Sequence, residues 1–260
     1  MKLCLLTYNV PRAWPLPRLI EVSRQLGFAA LELRCEQGHA HGVELETPKD
    51  ERRRVRDLVQ DSYLDLAGLG TSVRFESPDP AERQRQLDRV ERFLELAADV
   101  GAGFLKVFGN DVPPGVDRND CVAYVGDALR AAGERAVPYG VDVLMEMHGQ
   151  FNHWGLAREA MRRADHPRVG LIYNSDPRDV MAGSIAATYE RVRPWIRHVH
   201  ITEFSGAFPF PELFELLNAD GYTGYLAAEI SHETPTPEEY LATYAALFRA
   251  WAGQPFFPIS

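Results

Sequence analysis

Four residues in the second half of the chain combine types and spacing that suit a divalent cation. Glu146, Asn174, His200 and Glu229 each stand at the end of a short apolar run and follow one another at intervals of 28, 26 and 29 residues. Two carboxylates, an amide oxygen and an imidazole make a donor set for one hard or borderline ion, with Mn2+, Mg2+, Co2+ and Zn2+ all eligible. A buried carboxylate is costly unless its charge is compensated, and a cation shared by Glu146 and Glu229 would compensate both. Plainer uses exist for the same residues. Glu146 and Glu229 can form structural ion pairs, His200 a hydrogen-bonded core ring, and Asn174 a strand-end cap.

Equal spacing has meaning only if repeated elements hold the four at one height. Eight β-rich runs fit that requirement: 3–8, 29–34, 65–69, 103–108, 141–147, 169–173, 198–202 and 225–230. Segments of helical period follow them, such as Leu16, Leu19, Ile20, Ser23 and Leu26, or Leu87, Val90, Phe93, Leu94 and Ala97. Thr47-Pro48, Asp79-Pro80 and Thr236-Pro237 read as helix starts, a capping residue followed by proline. Glycines 27, 101, 140 and 221 precede strands two, four, five and eight, where a left-handed residue turns a helix back. Strands alternating with helices predict a parallel sheet. Eight such units in 260 residues close most naturally into a single (β/α)8 TIM barrel over 1–260. The rival doubly wound sheet would want a glycine-rich phosphate loop after strand one, and Thr7-Tyr8-Asn9-Val10-Pro11-Arg12 has none.

Composition narrows the partners. A net charge of −9 repels a phosphate backbone and disfavours nucleic acid. The run Glu51-Arg52-Arg53-Arg54-Val55-Arg56 reads as a solvated helix face. No apolar stretch is long enough to span a membrane. Cys4, Cys35 and Cys121 show no paired spacing, which suits reduced thiols in a cytoplasmic protein, with Cys4 and Cys35 in the core. His39, His41, His153 and His166 fall outside the strands and are expected at the surface, and Trp14 and Phe108 form either core or an apolar wall. The apolar tail Pro255-Phe256-Phe257-Pro258-Ile259 has two places open to it, the barrel floor or a second subunit in a homo-oligomer.

The segments Glu146-Met147-His148-Gly149, His198-Val199-His200-Ile201 and Gly221-Tyr222-Thr223-Gly224-Tyr225-Leu226-Ala227-Ala228-Glu229 resemble the xylose isomerase-like superfamily. This group of sugar phosphate isomerases and epimerases includes ketose 3-epimerases, hydroxypyruvate isomerase, inosose dehydratase and the endonuclease IV branch. The resemblance implies one divalent metal held by Glu, Asp, His and Glu on strands five to eight. Glu146, His200 and Glu229 match three of these. Asn174 stands where the family has Asp, which removes one negative charge. Asp176, two residues on, is the substitute ligand or a substrate-binding group.

The implied chemistry is proton transfer beside a carbonyl through a metal-stabilised enediolate. Glu146 and Glu229 act as base and acid on opposite faces of a small sugar-like substrate. His148 and His198 bind hydroxyls, with His198 alternatively a partner of the ligands. Glu32, Arg34 and Lys106 line the same mouth, Lys106 alternatively as a phosphate anchor or the three as an ordinary ion pair and rim. An isomerase or epimerase and an inosose dehydratase-like lyase share this logic, and the sequence does not separate them. A nuclease of the endonuclease IV kind needs further histidine ligands, and strands three and four carry none. Asn174 also leaves room for a barrel that has lost its metal and serves as a binding protein.

Overall fold

The computed structural model describes residues 1–204 and 206–253. Eight parallel strands close into one barrel in chain order: β1 Lys2–Leu6, β2 Ala30–Arg34, β3 Asp65–Arg74, β4 Phe104–Phe108, β5 Asp142–Glu146, β6 Val169–Asn174, β7 Ile196–Ile201 and β8 Tyr225–Ala228. Among the described residues eight α-helices surround it: α1 Leu16–Leu26, α2 Lys49–Asp61, α3 Pro80–Val100, α4 Arg118–Ala136, α5 Trp154–Ala164, α6 Ala186–Val192, α7 Phe210–Ala219 and α8 Pro237–Trp251. The expected (β/α)8 barrel is therefore present. No helix among the described residues is long and apolar enough to cross a membrane. The tail from Pro255 to Ile259 lies outside the described residues.

Strand alternation builds the two layers of the core. One set of side chains, Leu5, Leu31, Leu33, Leu105, Val107, Val143, Met145, Leu171, Tyr173, Val199 and Ile201, packs with the helices. The alternate set fills the barrel with Cys4, Leu6, Ala30, Ala67, Phe104, Leu144, Ile172 and Ala227. The second set continues upward into polar residues. Ala30 leads to Glu32, Phe104 to Lys106, Leu144 to Glu146, Ile172 to Asn174, His198 to His200 and Ala227 to Glu229. Gly68 lacks a side chain where a Cβ would stand 2.3 Å from the Phe104 ring. That ring is thereby free to fill the barrel's middle.

The boundaries differ from expectation where pairing or side-chain bonding decides. Strand β3 runs on to Arg74, where it pairs with Phe108. Strand β8 ends at Ala228, although the Glu229 amide still donates to the Ile201 carbonyl at 2.9 Å. Asp79 caps α3 by accepting from the Ala81 amide, and Pro80 begins the helix as predicted. Thr47 does not cap α2. Its hydroxyl accepts from the Glu44 amide at 2.9 Å and donates to the Gly42 carbonyl at 3.1 Å, tying the loop instead. Thr236 makes no side-chain cap either. Gly27 and Gly101 take φ of 75° and 81°, the left-handed turn that returns α1 and α3 to the next strand.

Two expected surface histidines are buried, His39 and His41. Their rings stack on each other, and His41 Nε2 lies 3.1 Å from the Arg34 carbonyl, so they pack the loop beyond β2. His153 is exposed and His166 half-buried. All three cysteines are buried and free.

Candidate active site

The carboxyl ends of the strands form a small cavity of about 70 Å3 lined by Glu32, Lys106, Glu146, His148, His200 and Glu229, with Leu6, Tyr8, Arg34, Gly70 and Phe108 at its walls. A wider cleft of about 620 Å3 is lined largely by the segments that follow β5 and β6, near Trp154 and Arg178. It gathers no cluster of carboxylates and imidazoles, so chemistry rather than size marks the smaller cavity as the candidate site.

His200 is the pivot. Its ring is buried at the centre of two clusters of acidic and imidazole groups. On one side, Nε2 lies 3.1 Å from each carboxylate oxygen of Glu32, and His198 Nε2 lies 2.9 Å from Glu32 Oε2. On the other side, Nδ1 faces Glu146 Oε1 at 3.6 Å and Glu229 Oε2 at 3.7 Å. Those distances are too long for a hydrogen bond, and Nδ1 is a buried nitrogen with no hydrogen-bond partner. An orphaned buried imidazole nitrogen between two carboxylates is what a divalent cation would satisfy. The donor set fits such an ion on this ground.

Electrostatics separates the two acids. Burial alone would push the Glu146 carboxyl up, but the Lys106 ammonium and His200 outweigh it and hold it well below the usual range. Lys106 Nζ is 2.8 Å from Glu146 Oε2 and sits 3.5 Å over the Phe108 ring. Glu229 has no such partner. Burial, then the charge of Glu146, pushes its carboxyl up to about 7. Burial lowers the His200 imidazole, but Glu32, Glu146 and Glu229 together carry it well above its ordinary value. In His198 burial prevails and lowers the ring.

The predicted site residues fall into three groups. Glu146, His200, Glu229, Lys106, Glu32, Arg34 and His148 come together at the cavity, as expected of neighbours on successive strands. Asn174 stands beside Glu146, but its Nδ2 donates to Oε1 at 3.2 Å, so the amide nitrogen and not the oxygen is turned to the carboxylate. Asn174 is not among the cavity's lining, and neither are His198 and Asp176. His198 is one layer lower, bonded to Glu32 and packed against Phe104 with ring centroids 4.7 Å apart. Asp176 is held by Arg178, whose Nε lies 3.0 and 2.9 Å from its two oxygens.

Sequence reasoning passed over Tyr8 and Gly70. The Arg34 guanidinium lies 4.5 Å above the Tyr8 ring. Tyr8 stands two residues beyond the end of β1, and that position alone is its signal. Phe108 lines the cavity as an apolar wall, and Trp14 is not among the lining residues.

Comparison with known proteins agrees with the fold. The chain is 26% identical over 242 residues to a 3-dehydroshikimate dehydratase of Pseudomonas aeruginosa, a match covering 84% of this chain and 36% of that protein. It thus spans about a third of that relative's length. It is 22% identical over 175 residues to a 2-oxo-tetronate isomerase of Pectobacterium atrosepticum, covering 62% and 66% of the two chains. The crystal structure of D-psicose 3-epimerase with D-tagatose from Clostridium cellulolyticum superposes with a TM-score of 0.80, at 16% identity, over 98% of this chain and all of the other. Residues 20–251 match the xylose isomerase-like TIM barrel family, and the chain belongs to that family.

Proposed function

We propose that this barrel is a divalent-metal-dependent isomerase or epimerase of a small sugar or related polyhydroxy carbonyl compound. The observation that carries the reading is His200 Nδ1, buried without a hydrogen bond between the carboxylates of Glu146 and Glu229. Glu146, His200 and Glu229 would hold the ion, with Asn174 able to join if its amide turned over to present oxygen. When bound, the ion supplies Lewis-acid charge for a carbonyl oxygen.

The remaining work belongs to the chain's own groups. Glu229 is the proton carrier of the pair, because it faces the His200 side of the site without an ammonium of its own to hold it ionised. Glu146 is fixed in its ionised form by Lys106 and serves as the base that stays charged. Proton transfer on two faces of a carbon needs two such groups, one on each side. His148 and Arg34 stand at the rim, where they can take substrate hydroxyls. The narrow cavity admits only the reacting end of a substrate and leaves the rest outside.

A dehydratase is the second reading, favoured by the relative named 3-dehydroshikimate dehydratase. It begins with the same proton removal, and Glu229 would then return its proton to a departing hydroxyl. One experiment separates the readings. Protein equilibrated with Mn2+ or Co2+ is incubated in D2O with a panel of ketoses and with 3-dehydroshikimate, and products are followed by NMR. Deuterium beside the carbonyl with an epimer or isomer supports the first reading. Loss of water supports the second. No exchange and no product with any substrate contradicts both and leaves a binding protein.

A further inference from the structure

The Glu32 carboxylate is completely buried and touches no solvent, yet three imidazole contacts of 2.9 to 3.1 Å converge on it. Ionised carboxylates only accept hydrogen bonds, so each of these nitrogens must bring a proton. With one proton of His200 committed to Nε2 by Glu32, Nδ1 is the ring nitrogen left to face a cation, which displaces any second proton held there. From these contacts we infer that Glu32 is a positioning residue, which fixes the tautomer and plane of His200 so that Nδ1 is offered to a cation between Glu146 and Glu229. This rests on the metal-site reading above.

Other parts of the barrel support this geometry. The register of β2 against β3 shifts between Leu31 and Glu32, which sets Glu32 opposite Gly68. Phe104 packs beneath His198, and His198 in turn holds Glu32 Oε2. Phe104, His198, Glu32 and His200 therefore brace one another in sequence. Both Glu32 oxygens receive imidazole protons and the carboxylate touches no solvent, so it is turned to the two rings.

The test pairs metal binding with a direct view of the ring. Glu32→Gln can accept one Nε2–H but turns an NH2 group toward the other ring. Its Mn2+ affinity, read by electron paramagnetic resonance titration, should fall by about 10- to 100-fold, the usual effect of removing a ligand's outer partner. Glu32→Asp, which keeps the charge, should lose less. In 15N-histidine NMR of the wild-type protein, His200 should keep its Nε2 proton both without metal and with Zn2+, and Zn2+ should shift Nδ1 alone. Unchanged Mn2+ affinity in a folded Glu32→Gln variant overturns the inference. So does a His200 ring with a bare Nε2, or a second ion per chain that disappears with Glu32. If wild-type protein takes up no ion, the metal-site reading falls, while the ring measurement still decides whether Glu32 sets the tautomer.

Discussion

His200 divides the centre of the barrel into two regions that differ in completeness. Below it, both oxygens of the Glu32 carboxylate accept from His198 and His200, and every contact is of hydrogen-bond length. Above it, Nδ1 stands 3.6 and 3.7 Å from two carboxylates and bonds to neither. A finished polar network stabilises and orients. An unfinished one, buried and rich in negative charge, is a site whose missing member is a cation. The contrast also explains why Glu32 and Glu146 stay ionised while Glu229 rises to about 7. The first two have cationic or N–H partners within bonding reach, and the third has none.

Removing the Lys106 ammonium from the upper region should have the largest effect. Lys106→Met leaves Glu146 buried without its ion-pair partner, and such a loss costs about 3–5 kcal/mol. Denaturant unfolding of metal-free protein should show it. Added Mn2+ should then stabilise this variant more than it stabilises wild type, because the ion takes over part of the lost compensation. Equal stabilisation would mean that Lys106 and the ion do not act on the same carboxylate.

Asp179 supplies a control from outside both clusters. Its carboxyl, buried beside Asn152 and Tyr173, is pushed up to about 7, chiefly by burial. The folded state therefore binds this proton more tightly than the unfolded state does. The stability it contributes is full below about pH 4 and is lost as pH rises through about 7. Asp179→Asn mimics the protonated form. It should gain on wild type by about 1–3 kcal/mol between pH 4 and pH 8, with metal uptake unchanged. Parallel stability curves for the two proteins would contradict this.

Asn174→Asp sharpens the comparison most gently. It adds a carboxylate where an amide now donates to Glu146. Metal-free protein should lose stability through repulsion, while Mn2+ affinity should rise about tenfold, or ~1.4 kcal/mol, because one more negative ligand faces the ion. Calorimetric titration measures the second effect and a thermal melt the first.

Much of this was legible in the sequence, for a physical reason. Barrel strands recur at one unit per interval, so the spacing of Glu146, Asn174, His200 and Glu229 already placed them at one height. The period of two likewise put His198 beneath His200. What one strand's pattern cannot show is a contact across the barrel. Glu32 meets His198 and His200 at separations of 166 and 168 residues, and only closure of β1 on β8 brings them together. Sequence reading left Glu32 and His198 between substrate contacts and plainer roles, Glu32 in an ion pair or rim and His198 as a partner of the ligands, and the structure turns them toward each other. The choice Asn174 made between its oxygen and its nitrogen was equally invisible, since it depends on the Glu146 carboxylate beside it. His39 and His41 looked like loop residues because their burial comes from stacking on each other and from the carbonyl of Arg34.

The central claim is that the upper region is completed by one divalent ion. Elemental analysis of wild-type protein and Glu229→Ala, each re-equilibrated with Mn2+ or Co2+ and freed of excess metal, tests it most directly. The account predicts about one ion per wild-type chain and its loss in the variant. An ion-free wild type even at millimolar supply, or an ion retained in full by Glu229→Ala, would contradict it.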